Sequence, residues 1–349
     1  MKKIRVLIVE DSPTQRILVK KLLQSDPEIE IVGEAADGET AVKMAEELKP
    51  DVILLDLQLP GIDGLEVIKR VMASNPTPIL VLSSVVNKTE KYSSMEALRR
   101  GAVDVMEKPS IEKGQSWMQI ASEIIKHVKE VSKVLVVPHV DFKGLETIPI
   151  KKPKELPDHE YEVVAIGAST GGPKLINQIL SALPEDYPIP VLIVQHIAPG
   201  FDEGFAEWLD KTVPMKVKLA ENGEQIKPST AYVAPVGFHM KVSPNREIIL
   251  DDGTPVNNQK PSADVLFESV AEVYMNRGIG IILSGMGRDG AEGLKKMKEN
   301  GARVFALRAE ECVVFGMPSA ALEVGAVEKT SSLKEIIEFL VEAGRILKR

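Results

Sequence analysis

Two sets of side chains in this sequence have the types and the placement for chemistry. Glu10 and Asp11, Asp56, Ser83 and Lys108 each follow an apolar run in the first third of the chain. If those runs are parallel strands, their C-terminal ends share one mouth and these residues converge on it. Three carboxylates on one edge repel each other unless a hard divalent cation sits among them, and oxygen ligands of this kind suit Mg²⁺. A carboxylate beside that cation can attack a phosphoryl donor, while the lysine neutralises the phosphoryl oxygens and Ser83 donates a hydrogen bond to the product. Taken singly, each carboxylate reads better as a helix cap or loop residue. Their recurrence at successive run ends favours a site.

The second set begins at Gly167-Ala168-Ser169-Thr170-Gly171-Gly172-Pro173. Glycines on both sides of Ser169 permit a tight strand-to-helix turn that projects a nucleophilic hydroxyl, and N–H groups at the helix start can stabilise an oxyanion. Such a loop can also bind phosphate, but this one lacks the Gly-Lys-Ser/Thr ending of a P-loop. A serine nucleophile needs a base, and the chain has five histidines: His127, His139, His159, His196 and His239. His196 directly follows the apolar run ending in Val194-Gln195, which puts it at the same mouth as Ser169. His239 falls in a turn-rich stretch and reads as a polar packing residue. Asp289, in Ser284-Gly285-Met286-Gly287-Arg288-Asp289-Gly290, follows another apolar run and can orient the imidazole; it reads as well as an N-cap aspartate.

The elements that must position these residues are short apolar strands alternating with amphipathic helices. Strands are expected at Ile4–Val9, Ile29–Val32, Val52–Leu55, Ile79–Leu82 and Val103–Met106, with a closing helix over Ile111–Ser132. Such alternation implies right-handed crossovers and a parallel sheet covered on both faces. Pro138, Pro149, Pro153 and Pro157 then mark a linker. Beyond it, Val163–Ile166, Val191–Val194, Gly280–Leu283 and Arg303–Ala306 read as strands. Phe201–Lys211, Asp264–Tyr274 and Ala291–Glu299 read as helices, and Ala231–Leu250 as a hairpin region. The fold class is α/β, two doubly wound parallel-sheet domains, the first flavodoxin-like and the second Rossmann-like. The boundaries are 1–130, a linker over 131–158, and 159–349.

Composition narrows the function classes. The chain has 349 residues, a net charge of −8 and one cysteine, Cys312. An intrachain disulfide and a paired-thiolate zinc site are therefore excluded, and a reducing compartment fits. The acidic balance and the absence of a basic recognition helix disfavour nucleic acid as a partner. The apolar runs are too short to span a bilayer, and Glu10-Asp11 interrupts the first too early for a signal peptide. The expected location is cytoplasmic.

The first region resembles the response-regulator receiver family in Val9-Glu10-Asp11-Ser12, Leu54-Leu55-Asp56-Leu57, Pro60-Gly61, Gly64, Leu82-Ser83-Ser84 and Glu107-Lys108-Pro109. The resemblance implies Asp56 as phosphoacceptor from a histidine kinase, Glu10, Asp11 and Asp56 around Mg²⁺, Ser83 and Lys108 as the switch pair, and a cis Lys108–Pro109 bond. Val105 stands where many receivers carry a switching aromatic. The second region resembles the CheB protein-glutamate methylesterase family. Its Ser169 and Asp289 loops, Val194-Gln195-His196, Pro199-Gly200-Phe201, Tyr232-Val233-Ala234-Pro235, Pro261-Ser262-Ala263-Asp264 and Gly316-Met317-Pro318 carry that likeness. It implies a serine hydrolase acting on glutamyl methyl esters, and on glutamine side chains, of chemoreceptor cytoplasmic helices. Ser169 is then the nucleophile, His196 the base, Asp289 its orienter, and Thr170 and Met286 the oxyanion hole, with no cofactor in this half. Leu307 and Arg308 depart from the Gln-Asp pair common in that family. A phosphorylation-gated binding module and a hydrolase of small esters are the competing readings.

Overall fold

The computed structural model describes residues 3–84, 88–109, 116–134, 136 and 160–347, with the backbone alone over 88–92. The chain divides into two compact units, Met1–Leu145 and Glu146–Arg349. Most of the expected linker, with His139 and His159, lies outside the described residues.

In the first unit, β1 (Ile4–Val9), β2 (Ile29–Ala35), β3 (Val52–Asp56), β4 (Ile79–Ser83) and β5 (Asp104–Glu107) form one sheet in the order β2-β1-β3-β4-β5. Every pairing is parallel. β3 and β4 are buried at every position, as strands covered on both faces must be. The helices between them are α1 (Pro13–Leu23), α2 (Gly38–Leu48), α3 (Gly64–Ser74), α4 (Lys88–Arg99) and α5 (Trp117–Val131). Side-chain caps start four of them: Ser12, Asp37, Asp63 and Ser116 accept the N–H of Gln15, Thr40, Glu66 and Gln119. The closing helix begins at Trp117 rather than at Ile111, because Ser116 and Gln119 close a reciprocal capping box there.

The second unit holds a six-stranded sheet and a separate hairpin. Its strands are β6 (Val163–Ala168), β7 (Val191–Gln195), β8 (Lys216–Leu219), β9 (Thr230–Val233), β10 (His239–Val242), β11 (Ile248–Asp251), β12 (Gly278–Ile282) and β13 (Arg303–Ala306). The sheet order is β13-β12-β6-β7-β9-β8, and all its pairings are parallel. β9 therefore belongs to the main sheet, and only β10 and β11 form the expected hairpin. The helices are α6 (Gly172–Ser181), α7 (Asp202–Thr212), α8 (Ala263–Tyr274), α9 (Ala291–Glu299), α10 (Met317–Glu323) and α11 (Leu333–Ile346). Leu266, Phe267 and Val270 of α8 pack with Met240, Val242 and Ile248 of the hairpin in one buried cluster. The hairpin is thus anchored to the helix that starts beside Asp289.

The order places a topological switch at β6. The chain proceeds from β6 to β7 on one side and later returns to β12 on the other. A crevice opens above the C-terminal end of such a strand, and ligands bind there. Ser169 is the first residue after β6.

Candidate active site

The mouth of the second unit is built from three strand ends. Ser169 follows β6, His196 follows β7, and the Ser284–Gly290 loop follows β12. Two backbone bonds and one from the Gln195 side chain stitch them together. Ser169 N donates to Ser284 O at 2.9 Å, His196 N donates to Ala168 O at 2.9 Å, and Gln195 Nε2 donates to Ser169 O at 2.9 Å. Gly285 must be glycine for space: a Cβ there would lie 2.7 Å from Ser169 Cβ and 2.3 Å from Met317 Sδ.

Helix starts at this mouth differ from those of the first unit. α6 and α9 begin after Gly171 (φ +80°) and Gly290 (φ +89°), and neither has a side-chain cap. The α6 start thus directs positive potential into the crevice, whereas in the first turn of α9 the Gly293 N–H is accepted by Asp264 Oδ1 at 2.7 Å.

His196 Nε2 lies 2.8 Å from Asp289 Oδ2, both side chains being almost wholly buried. The opposite ring nitrogen, Nδ1, is buried without a hydrogen-bond partner. With Nε2–H donated to the carboxylate, Nδ1 carries the lone pair that can take a proton from a serine hydroxyl. Asp289 also accepts from Ala263 N (2.6 Å) at Oδ2, and from Ser262 Oγ (2.5 Å), Asn257 Nδ2 (3.3 Å) and Asp264 N (3.4 Å) at Oδ1. Burial pushes its carboxyl upward, but the bonds and charge from His196, with Ser262 and Ala263, outweigh that and hold it below the usual carboxylate range. Asp289 therefore does act as a helix cap, though for α8 rather than for α9, which follows it in sequence.

Thr170 is buried, its carbonyl accepting Ser284 Oγ at 2.7 Å, while Met286 sits at the loop turn beside Gly285. Its N–H has no hydrogen-bond partner among the described residues. Ser262, His239 and Asn257, the supports of Asp289, were not marked by spacing, since their contacts join residues distant in sequence. Leu307 and Arg308 have structural tasks: Leu307 is wholly buried, and Arg308 bonds Glu311 and, through its backbone, Ser331 O.

In the first unit, Glu10, Asp11 and Asp56 bring carboxylate oxygens within 4.8 Å of one another. Lys108 Nζ lies 2.7 Å from Asp56 Oδ2 and 3.0 Å from Glu10 Oε2. Lys108 Nζ also donates to Glu10 Oε1 at 3.2 Å, whereas Glu10 Oε2 and Asp56 Oδ2 are buried without an aligned hydrogen bond. Burial, partly offset by Lys108, raises the carboxyls of Glu10 and Asp56 above their ordinary range. Two buried carboxylates short of partners, beside the exposed Asp11, fit a hard divalent cation. Ser83 Oγ accepts a hydrogen bond from Ser94 Oγ of α4 at 2.9 Å, a partner that sequence spacing did not indicate. Val105 is buried in β5, so no aromatic occupies the switch position. The Lys108–Pro109 bond is trans; the cis bond among the described residues is Lys260–Pro261.

Comparison with known proteins agrees with both halves. A model described as CheB methylesterase matches residues 164–340, and one described as response regulator receiver domain matches residues 6–115. The chain is 42% identical to protein-glutamate methylesterase/protein-glutamine glutaminase 1 of Syntrophus aciditrophicus, over 97% of this chain and 98% of the relative. The corresponding protein of Thermotoga maritima is 37% identical over 97% and 98%. The crystal structure of the Thermotoga maritima CheB methylesterase catalytic domain superposes with a TM-score of 0.50 at 38% identity, covering 53% of this chain and 99% of that one.

Proposed function

Because the chain belongs to the CheB methylesterase family, we propose that it is a phosphorylation-controlled protein-glutamate methylesterase and protein-glutamine glutaminase of chemotactic adaptation. Its substrates are then methylated or amidated side chains on the cytoplasmic helices of chemoreceptors. In this reading residues 1–130 are the receiver, 131–158 the linker and 159–349 the catalytic domain. Nucleic acid is not a partner. No helix among the described residues is long and apolar enough to cross a membrane, in keeping with a cytoplasmic enzyme.

The observation that carries the chemistry is His196, held through Nε2 by Asp289 while Nδ1 is left without a partner at the Ser169 mouth. Ser169 Oγ attacks the ester carbonyl carbon as its proton passes to His196 Nδ1. Asp289 stabilises the imidazolium, and the backbone N–H groups of Thr170 and Met286 receive the oxyanion. Collapse breaks the bond to methoxide, which takes the proton from Nδ1 and leaves as methanol. Water then gives a proton to His196 as it attacks the acyl-enzyme, and His196 passes that proton to Ser169 Oγ as its bond to the acyl carbon breaks, releasing glutamate and Ser169. On a glutamine the same steps release ammonia. No step of this sequence calls on a cofactor.

Control rests on the first site. Glu10, Asp11 and Asp56 would hold Mg²⁺, which supplies charge neutralisation for the incoming phosphoryl oxygens. The Asp56 carboxylate is the phosphoacceptor, a histidine kinase the donor, and Lys108 pairs with the phosphoryl group. Ser83 turns its hydroxyl to that group, exchanging the bond it donates to Ser84 O at 3.2 Å for a charge-assisted one.

The test is methanol release from a methylated receptor cytoplasmic fragment, with and without a small phosphodonor and Mg²⁺. Release by the wild type should rise with the phosphodonor. Ser169→Ala should lose at least about a thousandfold, and Asp56→Asn should keep basal release but lose the rise. No release by the wild type under either condition would reject the esterase assignment.

A further inference from the structure

Asp289 is oriented by a helix start that has given up its own cap. Ser262 occupies the N-cap position of α8, yet its side chain makes no bond to that helix. The hydroxyl donates instead to Asp289 Oδ1 at 2.5 Å, and Asp289 accepts the Ala263 and Asp264 N–H groups in its place. The exchange leaves the helix capped and fixes the first turn of α8 against the carboxylate that holds His196.

The backbone of Ser262 is fixed in turn by a second histidine. Ser262 N donates to His239 Nδ1 at 3.2 Å, and His239 Nε2 lies 3.0 Å from Thr254 O. An N–H can only donate and a carbonyl can only accept, so Nδ1 is the bare nitrogen and Nε2 carries the hydrogen. Both ring nitrogens are used, and the ring is 2% exposed. His239 thus holds one neutral tautomer.

Resting on the triad roles assigned above, we propose that Ser262 and His239 are positioning residues that set the orientation and the effective charge of the Asp289 carboxylate. The Ser262 hydroxyl draws charge from Oδ1 and so moderates the pull of Oδ2 on the His196 N–H. His239 keeps Ser262 at the distance where it does this. Without the hydroxyl, more charge faces His196, the imidazolium is held more tightly, and it returns its proton to methoxide less readily. The carboxylate also gains freedom to turn.

The experiment uses the full chain, with methylated receptor fragment as substrate. Ser262→Ala should lower kcat about tenfold, as for loss of one hydrogen bond to a charged group. KM should be unchanged, and the acid limb of kcat/KM should move to higher pH. The His239 pair isolates the relay: Asn places an acceptor near the site of Nδ1, Gln near that of Nε2. His239→Asn should keep near wild-type kcat, and His239→Gln should follow Ser262→Ala. In the free enzyme, the proton resonance of the His196 Nε2–H should move downfield in Ser262→Ala. This readout needs no substrate, so it stands even if the receptor reading fails. Unchanged kcat, pH profile and resonance in folded Ser262→Ala, or equal behaviour of the two His239 variants, would overturn the proposal.

Discussion

A single methyl group placed at Gly285 should separate the geometry of the nucleophile from the stability of the fold. The added Cβ of Gly285→Ala would sit 2.7 Å from Ser169 Cβ and 3.0 Å from Ser169 N. Carbon atoms rest about 3.5 Å apart or more, so the overlap with Ser169 is about 0.8 Å. Met317 Sδ, 2.3 Å from the same position, can swing away because it ends a flexible side chain. Ser169 cannot, since its N–H is bonded to Ser284 O and its carbonyl to Gly172 N and Gln195 Nε2. The strain therefore falls on the turn that aims the hydroxyl. A shift approaching 1 Å lowers kcat roughly a hundredfold, about 2.7 kcal/mol in the barrier, and overpacking lowers stability by about 1–3 kcal/mol. Gly325→Ala is the control. Gly325 has φ +77° with nothing within 4 Å of its Cβ position, so alanine there brings backbone strain of about 1 kcal/mol and no steric push. Both variants would be followed by thermal unfolding and by initial rates of methanol release. A Gly285→Ala enzyme with near wild-type kcat, or a Gly325→Ala enzyme that loses kcat while still folded, would refute the reasoning.

Asp289 contributes to stability as well as to chemistry, with a definite sign. Its carboxyl is held below the ordinary value of 3.8, so its contribution is present above that pH and lost as pH falls through the folded-state value. Asp289→Asn should therefore cost about 3 kcal/mol near pH 7, and its Tm deficit relative to wild type should shrink below pH 3.8; a deficit unchanged between pH 7 and pH 3 would contradict this. Cys312 lies on the segment after β13, its thiol pushed up to about 12 by burial and by Glu311 and Glu310. Only the thiolate reacts, so iodoacetamide at pH 8 should label the native protein at least roughly a hundredfold more slowly than the denatured chain. Comparable rates would show that the thiol is not shielded.

The fold was most legible where burial on both faces demanded continuous apolar runs. β3, β4, β6 and β7 are buried at every position, and their sequences announce them. β8 did not announce itself, because an edge strand of alternating Lys216-Val217-Lys218-Leu219 is short and only partly buried. β9 was absorbed into the hairpin region, since its four residues lie among prolines and turns, and only pairing with β7 and β8 distinguishes it. Residues that end strands were legible as site candidates for a topological reason: a parallel sheet gathers its C-terminal ends on one edge. Ser94, Ser262, His239 and Asn257 lie within or between other elements. Their importance comes from partners that only the folded chain brings near.

Asp289 shows why a sequence can pose two readings that the structure has no need to choose between. As a cap it satisfies the N–H groups of Ala263 and Asp264 at the start of α8; as an orienter it holds His196 Nε2. The two tasks reinforce each other. A carboxylate buried beside a histidine needs donors to remain ionised, and a helix N-terminus supplies them with a favourable dipole. A helix whose own cap hydroxyl has turned to that carboxylate needs an acceptor in return. Either task alone would leave a buried group unsatisfied: without the cap, the first N–H groups of α8; without the orienting bond, His196 Nε2. The position in sequence, after a strand and before a helix, suggested a cap for the helix that follows. The fold instead directs the side chain across to α8, and Asp264 of α8 in turn accepts the Gly293 N–H in the first turn of α9 at 2.7 Å.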